Sequence, residues 1–122
     1  MVAYRLFGAT LGDIVDILSW TRARFGEQAR LRHERLLVAA LRDIASDPVR
    51  VGSIGRPDLG RNVRSYHLRH SRGRVQHANV VVHSPRHLPL YRVVLGGPVG
   101  IGRVLHDAME IKRHSPTDYG DE

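Results

Sequence analysis

The sequence predicts an α+β domain: an N-terminal strand, a helical hairpin, then a three- to four-stranded antiparallel sheet with a short C-terminal helix. Three observations predict it. Apolar residues recur at helical spacing in two blocks that meet around Gly26. β-branched and aromatic residues gather in short runs after residue 61, the composition that suits strands. Gly96-Gly97-Pro98 then separates two such runs by a tight turn, which implies antiparallel pairing.

The elements follow in order. Val2 to Phe7 reads as a short strand, with Val2, Tyr4 and Leu6 on one face. Thr10 is placed to cap a helix, with Asp13 three residues on in the manner of a capping box. Leu11, Ile14, Val15, Leu18 and Phe25 form its apolar stripe, and Gly26 stops it. A second helix runs from Glu27 to about Ala45 with Leu37, Ala40, Leu41 and Ile44 on one face, and Ser46-Asp47-Pro48 ends it. Arg32, Arg35 and Arg42 lie off that stripe and read as a solvated face.

Glycine and proline dominate residues 49–61, a loop pattern. Asn62 to His70 reads as a strand, Leu90 to Leu95 as a second and Val99 to His106 as a third. Residues 71–87 are a basic, His-bearing connection that contains the β-prone run Val80-Val81-Val82. Asp107 can cap a short helix over Ala108 to Arg113. The polar tail from Ser115 reads as frayed. One domain with one core thus covers residues 1–114, followed by a tail over residues 115–122.

Composition narrows the function. The chain of 122 residues contains no cysteine, which excludes a disulfide scaffold, a Cys-ligated metal and a thiol nucleophile. Its apolar runs reach only about five residues, against roughly twenty for a membrane span. With no basic-then-apolar leader, the chain is expected in the cytoplasm. No phosphate loop is present, and Gly100-Ile101-Gly102 lacks the third glycine and the following helix of a dinucleotide fingerprint. His67 with His70, and His83 with His87, have poor metal spacing and no acidic ligand nearby, so neither a metal nor another cofactor is expected.

The net charge of +7 is unevenly spread. Residues 1–49 carry seven Arg against six acids, residues 50–103 ten Arg against Asp58 alone, and residues 104–122 two cations against five acids. The sheet half is therefore strongly basic, which implies an anionic partner. Eighteen of the 19 cations are Arg, the side chain suited to bidentate contacts with carboxylate or phosphate.

Specific motifs sharpen this. Asp13-Ile14-Val15-Asp16-Ile17-Leu18 precedes Phe25-Gly26-Glu27-Gln28-Ala29 at the hairpin, and helix 2 ends at Asp47-Pro48. An Arg-bearing strand, Val63-Arg64-Ser65-Tyr66-His67-Leu68, leads on to Leu90-Tyr91-Arg92-Val93, and Ile101-Gly102-Arg103-Val104-Leu105-His106-Asp107-Ala108-Met109-Glu110 closes the pattern. From about residue 3 to residue 114 this resembles the RelE/ParE superfamily of type II toxins, on the ParE-like side. Residues 71–87 are longer than that family's usual strand connection.

The resemblance implies a helical hairpin on a small antiparallel sheet. It also implies a cognate antitoxin with an acidic C-terminal segment and a DNA-binding N-terminal domain, operator DNA being reached only through that antitoxin. ParE-like members inhibit DNA gyrase, whereas RelE-like members cut messenger RNA on the ribosome, and one fold hosts both. The expected function is a ParE-like toxin that binds gyrase and has no catalytic residues. The alternative is a metal-independent, ribosome-dependent endonuclease using Arg64, Arg92, Arg103 and His106, with Tyr91 as a further candidate. A non-toxic nucleic-acid-binding domain is the third reading.

For antitoxin or target contact the candidates are Trp20, Arg61, Arg64, Tyr66, Arg92 and Arg103. Trp20 falls beside the helix 1 stripe and reads first as core, second as an interface anchor. His106 reads first as a structural residue joining the last strand to the final helix. Strict alternation sets Arg103 beside Ile101 and Leu105, with His106 on the opposite face unless a bulge intervenes.

Overall fold

The computed structural model describes residues 4–74, 85–93, 97–114, 116 and 119. Strand β1 (Tyr4–Leu6) leads into helix α1 (Thr10–Phe25), helix α2 (Glu27–Ser46), strand β2 (Ser53–Gly55) and strand β3 (Val63–Tyr66). A 3₁₀ helix over Leu68–Arg74 follows, then β4 (His87–Arg92), β5 (Val99–His106) and a 3₁₀ turn over Ile111–His114. The α+β class and the order of elements agree with the sequence. The sheet has five strands in the order β1-β5-β4-β3-β2. The last four pair antiparallel, while β1 lies parallel to β5 with Tyr4 opposite Val99 and Leu6 opposite Ile101.

The hairpin is held as expected. Gly26 ends α1 and starts α2 at φ 94°, a left-handed angle that disfavours any side chain. Leu36, Leu37, Ala40, Leu41 and Ile44 bury one face of α2 against Tyr66, Leu68, Tyr91, Val99, Ile101 and Val104. Helix α1 departs from its predicted stripe. Ile14, Ile17 and Leu18 pack on that core, whereas Leu11, Val15 and Phe25 are more than half exposed. The helix is apolar on two sides, so periodicity alone could not pick the inner one.

Thr10 and Asp13 do not form a capping box. Thr10 is fully buried and donates its hydroxyl to Ile101 O at 2.8 Å, and Ala9 occupies the N-cap position. Three spans also change. Ser53–Gly55, read as loop, pairs with Tyr66, Ser65 and Arg64 as the edge strand. Beyond Tyr66 the predicted strand turns into the 3₁₀ helix, because Leu68 is drawn into the core and is fully buried there. The predicted final helix shrinks to a 3₁₀ turn. Val80-Val81-Val82 lies outside the described residues.

The sheet has apolar contacts on both faces. Val63, Leu88, Leu90, Leu105 and Tyr119 form a second cluster, with Leu59 and Ile111 packed on it. Tyr119 is 2% exposed, so at this position the tail is docked, not frayed. Gly100 and Gly102 make the room. A Cβ at Gly100 would lie 1.8 Å from Tyr119 O, and one at Gly102 would lie 2.8 Å from the Tyr119 ring. These are the two glycines of the motif set aside above, and their purpose is close packing.

Candidate functional site

Three of the predicted cations converge where the β2–β3 hairpin meets β4. Arg56 N donates to Val63 O at 2.8 Å and Leu59 N to Arg56 O at 3.0 Å, which closes the hairpin loop. Gly60 at φ 146° and Asn62 at φ 60° supply its left-handed turns. Arg64 reaches back across the pair, its Nε donating to Ser53 Oγ at 2.7 Å. Arg92 Nε donates to Arg61 O at 2.9 Å, so β4 holds the loop from below.

Between these elements lies a cleft of about 740 Å³ lined by Val49, Gly55, Arg56, Pro57, Gly60, Arg61, Asn62, Val63, Arg64 and Val93. Among the described residues, no lining side chain is acidic. Arg56 is held by Asp58 through Nε and Nη2 at 3.1 and 3.0 Å, and that contact keeps the Asp58 carboxyl below its ordinary range. Arg61 and Asn62 are exposed. The cleft thus offers a positive rim over an apolar floor, a form suited to an anionic chain that also carries apolar groups. Sequence reading found Arg61, Arg64 and Arg92 but missed Arg56 and Asn62. The available signal was the Arg spacing across Gly55–Arg64, a stretch read only as a loop and a strand start.

The other predicted residues lie elsewhere. Tyr66 is fully buried and cannot meet a partner. Its hydroxyl bonds Ser71 Oγ at 2.8 Å, and Ser71 donates to Asp43 Oδ2 at 2.6 Å. Tyr91 is also fully buried, donating to Pro48 O at 2.6 Å and bonded to Ser53 Oγ, and burial pushes its phenol up. Arg103 is held inside the fold. Its Nε and Nη2 donate to Asp13 Oδ2 and Oδ1 at 2.7 and 2.9 Å, and Val104 N donates to the same carboxylate at 3.0 Å. This pair raises the Arg103 guanidinium above its ordinary value.

A bulge does intervene in β5. Arg103 faces Leu90 while Ile101 faces Tyr91, which leaves Gly102 as the extra residue. Ile101 therefore shares a core with Val104, and Leu105 belongs to the other cluster. His106 closes the strand, and its Nδ1 accepts from Ala108 N at 3.0 Å. That bond is the structural role expected of His106, although it tethers a turn and not a helix.

A second cleft, of about 620 Å³, opens between the helices and the ends of β4 and β5. Trp20, Phe25 and Met109 form its apolar rim at 57%, 64% and 43% exposure, so Trp20 is not core. Its inner wall is a stack of imidazoles, in which His87 meets His33 and His106 edge-on at 5.7 and 5.2 Å between centroids. Among the described residues, His33 Nε2 and His87 Nδ1 are buried without a hydrogen-bond partner. Burial, aided by the neighbouring imidazoles, pushes His87 down to about 4, and burial lowers His33 as well.

Below the ordinary histidine pKa the unfolded chain takes up protons that these two rings refuse, so stability falls from about pH 6.5 toward pH 4. Asp107, held below the carboxylate range by Arg86 and His67, keeps its contribution throughout that interval and loses it only below about pH 4. After a discount for the ring's partial hydration, His87 accounts for on the order of 2 kcal/mol over that interval. Thermal unfolding followed between pH 8 and 4 should show a flat midpoint above pH 7 and a steep fall below 6.5. His87→Leu should flatten that fall.

No family model matches the chain, and no curated protein is found to be similar to it. Among the described residues no helix is long and apolar enough to cross a membrane. Among those residues, too, no three His, Asp or Glu side chains converge as a metal site requires.

Proposed function

We propose that this chain is a toxin of the RelE/ParE superfamily, ParE-like in action, that inhibits DNA gyrase by binding and is neutralised by an acidic antitoxin. The observation that carries the reading is the cleft rimmed by Arg56, Arg61 and Arg64, with Arg92 behind it. An extended acidic segment with apolar side chains suits both its charge and its floor. The exposed apolar side chains of α1 (Leu11, Val15 and Phe25 on one side, Trp20 on another) offer further contact area of the kind protein partners cover.

Binding is favoured over cutting because the best cation and the best acid–base group are both engaged. Arg103 is neutralised by Asp13, and His106 Nδ1 is engaged by the Ala108 backbone N–H. Metal-free RNA cleavage needs a free cation on the phosphate and a group able to exchange protons.

The chain is expressed alone, and the purified protein is assayed for gyrase supercoiling and for messenger RNA cleavage on ribosomes. Lost supercoiling is the expected result. Intact supercoiling with fresh transcript cuts selects the endonuclease reading, and unaffected growth on induction removes both. A finer prediction concerns Arg61→Glu. Affinity for the acidic partner should fall at least about 10-fold and lose much of its salt dependence. The melting temperature should stay unchanged, since Arg61 is exposed.

A further inference from the structure

The cleft between the helices and the ends of β4 and β5 takes no part in the proposed function, yet it has the makings of a binding site. Its volume of about 620 Å³ falls within the roughly 300–1,000 Å³ of small-molecule sites. Trp20, Phe25 and Met109 give it an apolar rim, with the indole and phenyl rings edge-to-face at 5.8 Å. Inside, His33 and His87 form a wall that burial keeps uncharged at neutral pH. His33 is only 9% exposed, and among the described residues its Nε2 has no partner. A ring inserted between rim and wall would cover apolar area that now faces water.

Charge at the mouth selects the kind of ring. One carboxylate and one guanidinium line the cleft, Asp16 and Arg86. Arg86 is engaged, its Nε and Nη2 each lying 2.8 Å from Asp107 Oδ1. Asp16 is exposed on α1, four residues before Trp20 and so on the same side of the helix. Among the described residues no cation pairs with it. Arg24 lies over the Trp20 ring at 5.7 Å from the centroid, but it stands two turns beyond Asp16, about 12 Å along the axis. A carboxylate beside aromatic faces recognises an organic cation, and the uncharged rings of His33 and His87 do not oppose one.

We propose that this cleft is a binding site for an aromatic amine, whose ring lies between Trp20, Phe25 and the imidazole wall and whose ammonium pairs with Asp16. The site is independent of the toxin reading. Its ligand is opposite in charge to the one that the basic cleft attracts.

Trp20 is the one tryptophan of the chain, so tryptophan emission reports on the cleft rim alone. The purified full chain is titrated with phenethylamine, with phenethyl alcohol as its neutral counterpart and with phenylpropionate as an anion. The amine should change Trp20 emission saturably. It should bind about 3- to 5-fold more tightly than the alcohol, the gain expected of one partly exposed ion pair, and the anion should be weakest.

Two variants locate the contacts. Asp16→Asn, a change at an exposed position, should keep the parent's melting temperature and bring amine and alcohol to equal affinity. Phe25→Leu should weaken all three probes, because each carries the same ring. No saturable change with the amine overturns the proposal, as does an alcohol or anion that binds as tightly as the amine. An amine preference that survives in Asp16→Asn overturns the role of that carboxylate and the proposal with it. None of these titrations involves gyrase or an acidic partner, so their failure and the failure of the toxin reading are separate results.

Discussion

Asp13→Ala is expected to lower the unfolding free energy by about 3 kcal/mol, because it strips a part-buried guanidinium of the carboxylate that holds it. The Asp13 side chain is 13% exposed and that of Arg103 is 25% exposed. The same oxygen also serves Val104 N, so one substitution removes the acceptor of three N–H donors across the joint between α1 and β5. Chemical denaturation of Asp13→Ala, Arg103→Met and the double variant measures the coupling. The double variant should be more stable than Asp13→Ala, since removing both charges leaves neither buried alone. Arg103 matters here for what it is not. If it served a target or an RNA phosphate, Arg103→Met would lose growth inhibition with its stability intact. The expectation is the reverse: a lower melting temperature and an unaltered affinity for the acidic partner.

Asp43→Ala should cost as much, about 3 kcal/mol or near 10 °C in melting temperature. Asp43 is 2% exposed, accepts from Ser71 Oγ at 2.6 Å and pairs with Arg50 Nη1 at 3.3 Å. Tyr66 joins the same chain through Ser71, and Arg50 lies over its ring at 5.7 Å. Losing the carboxylate leaves a buried hydroxyl without its acceptor and a guanidinium without its counter-charge. A loss below about 1 kcal/mol would mean that water replaces the carboxylate there. Asp43→Asn, which keeps an acceptor for Ser71, should recover part of the loss. The pair separates the hydrogen bond from the charge.

These two carboxylates show where sequence reading stops. The helical hairpin was legible because α2 buries one stripe and Gly26 interrupts the chain where only a glycine is comfortable. Strands β3, β4 and β5 were legible as β-prone runs. Edge strand β2 was not, because Ser53-Ile54-Gly55 is three residues long and sits among turn residues. The basic half was plain from charge counting, and it led to Arg61, Arg64 and Arg92. Which arginines stay available to a partner was not legible. Arg103 finds its acid 90 residues away in α1, a pairing that no local pattern records. Alternation failed at Gly102 because one bulged residue exchanges the faces of everything beyond it. Tyr66 looked like a surface partner residue and is core, whereas Trp20 looked like core and is surface.

The parallel pairing of β1 with β5 sets an order on synthesis. Strand β1 can find its neighbour only after residues 99–101 exist, and the back-face cluster waits for Tyr119. A nascent chain emerging from the ribosome can therefore form the hairpin early, but it cannot close the sheet until β5 is out. The basic cleft is assembled from β2, β3 and β4, and β4 is itself flanked by β5. Any activity that depends on the cleft therefore waits until β5 has been made and paired with β4.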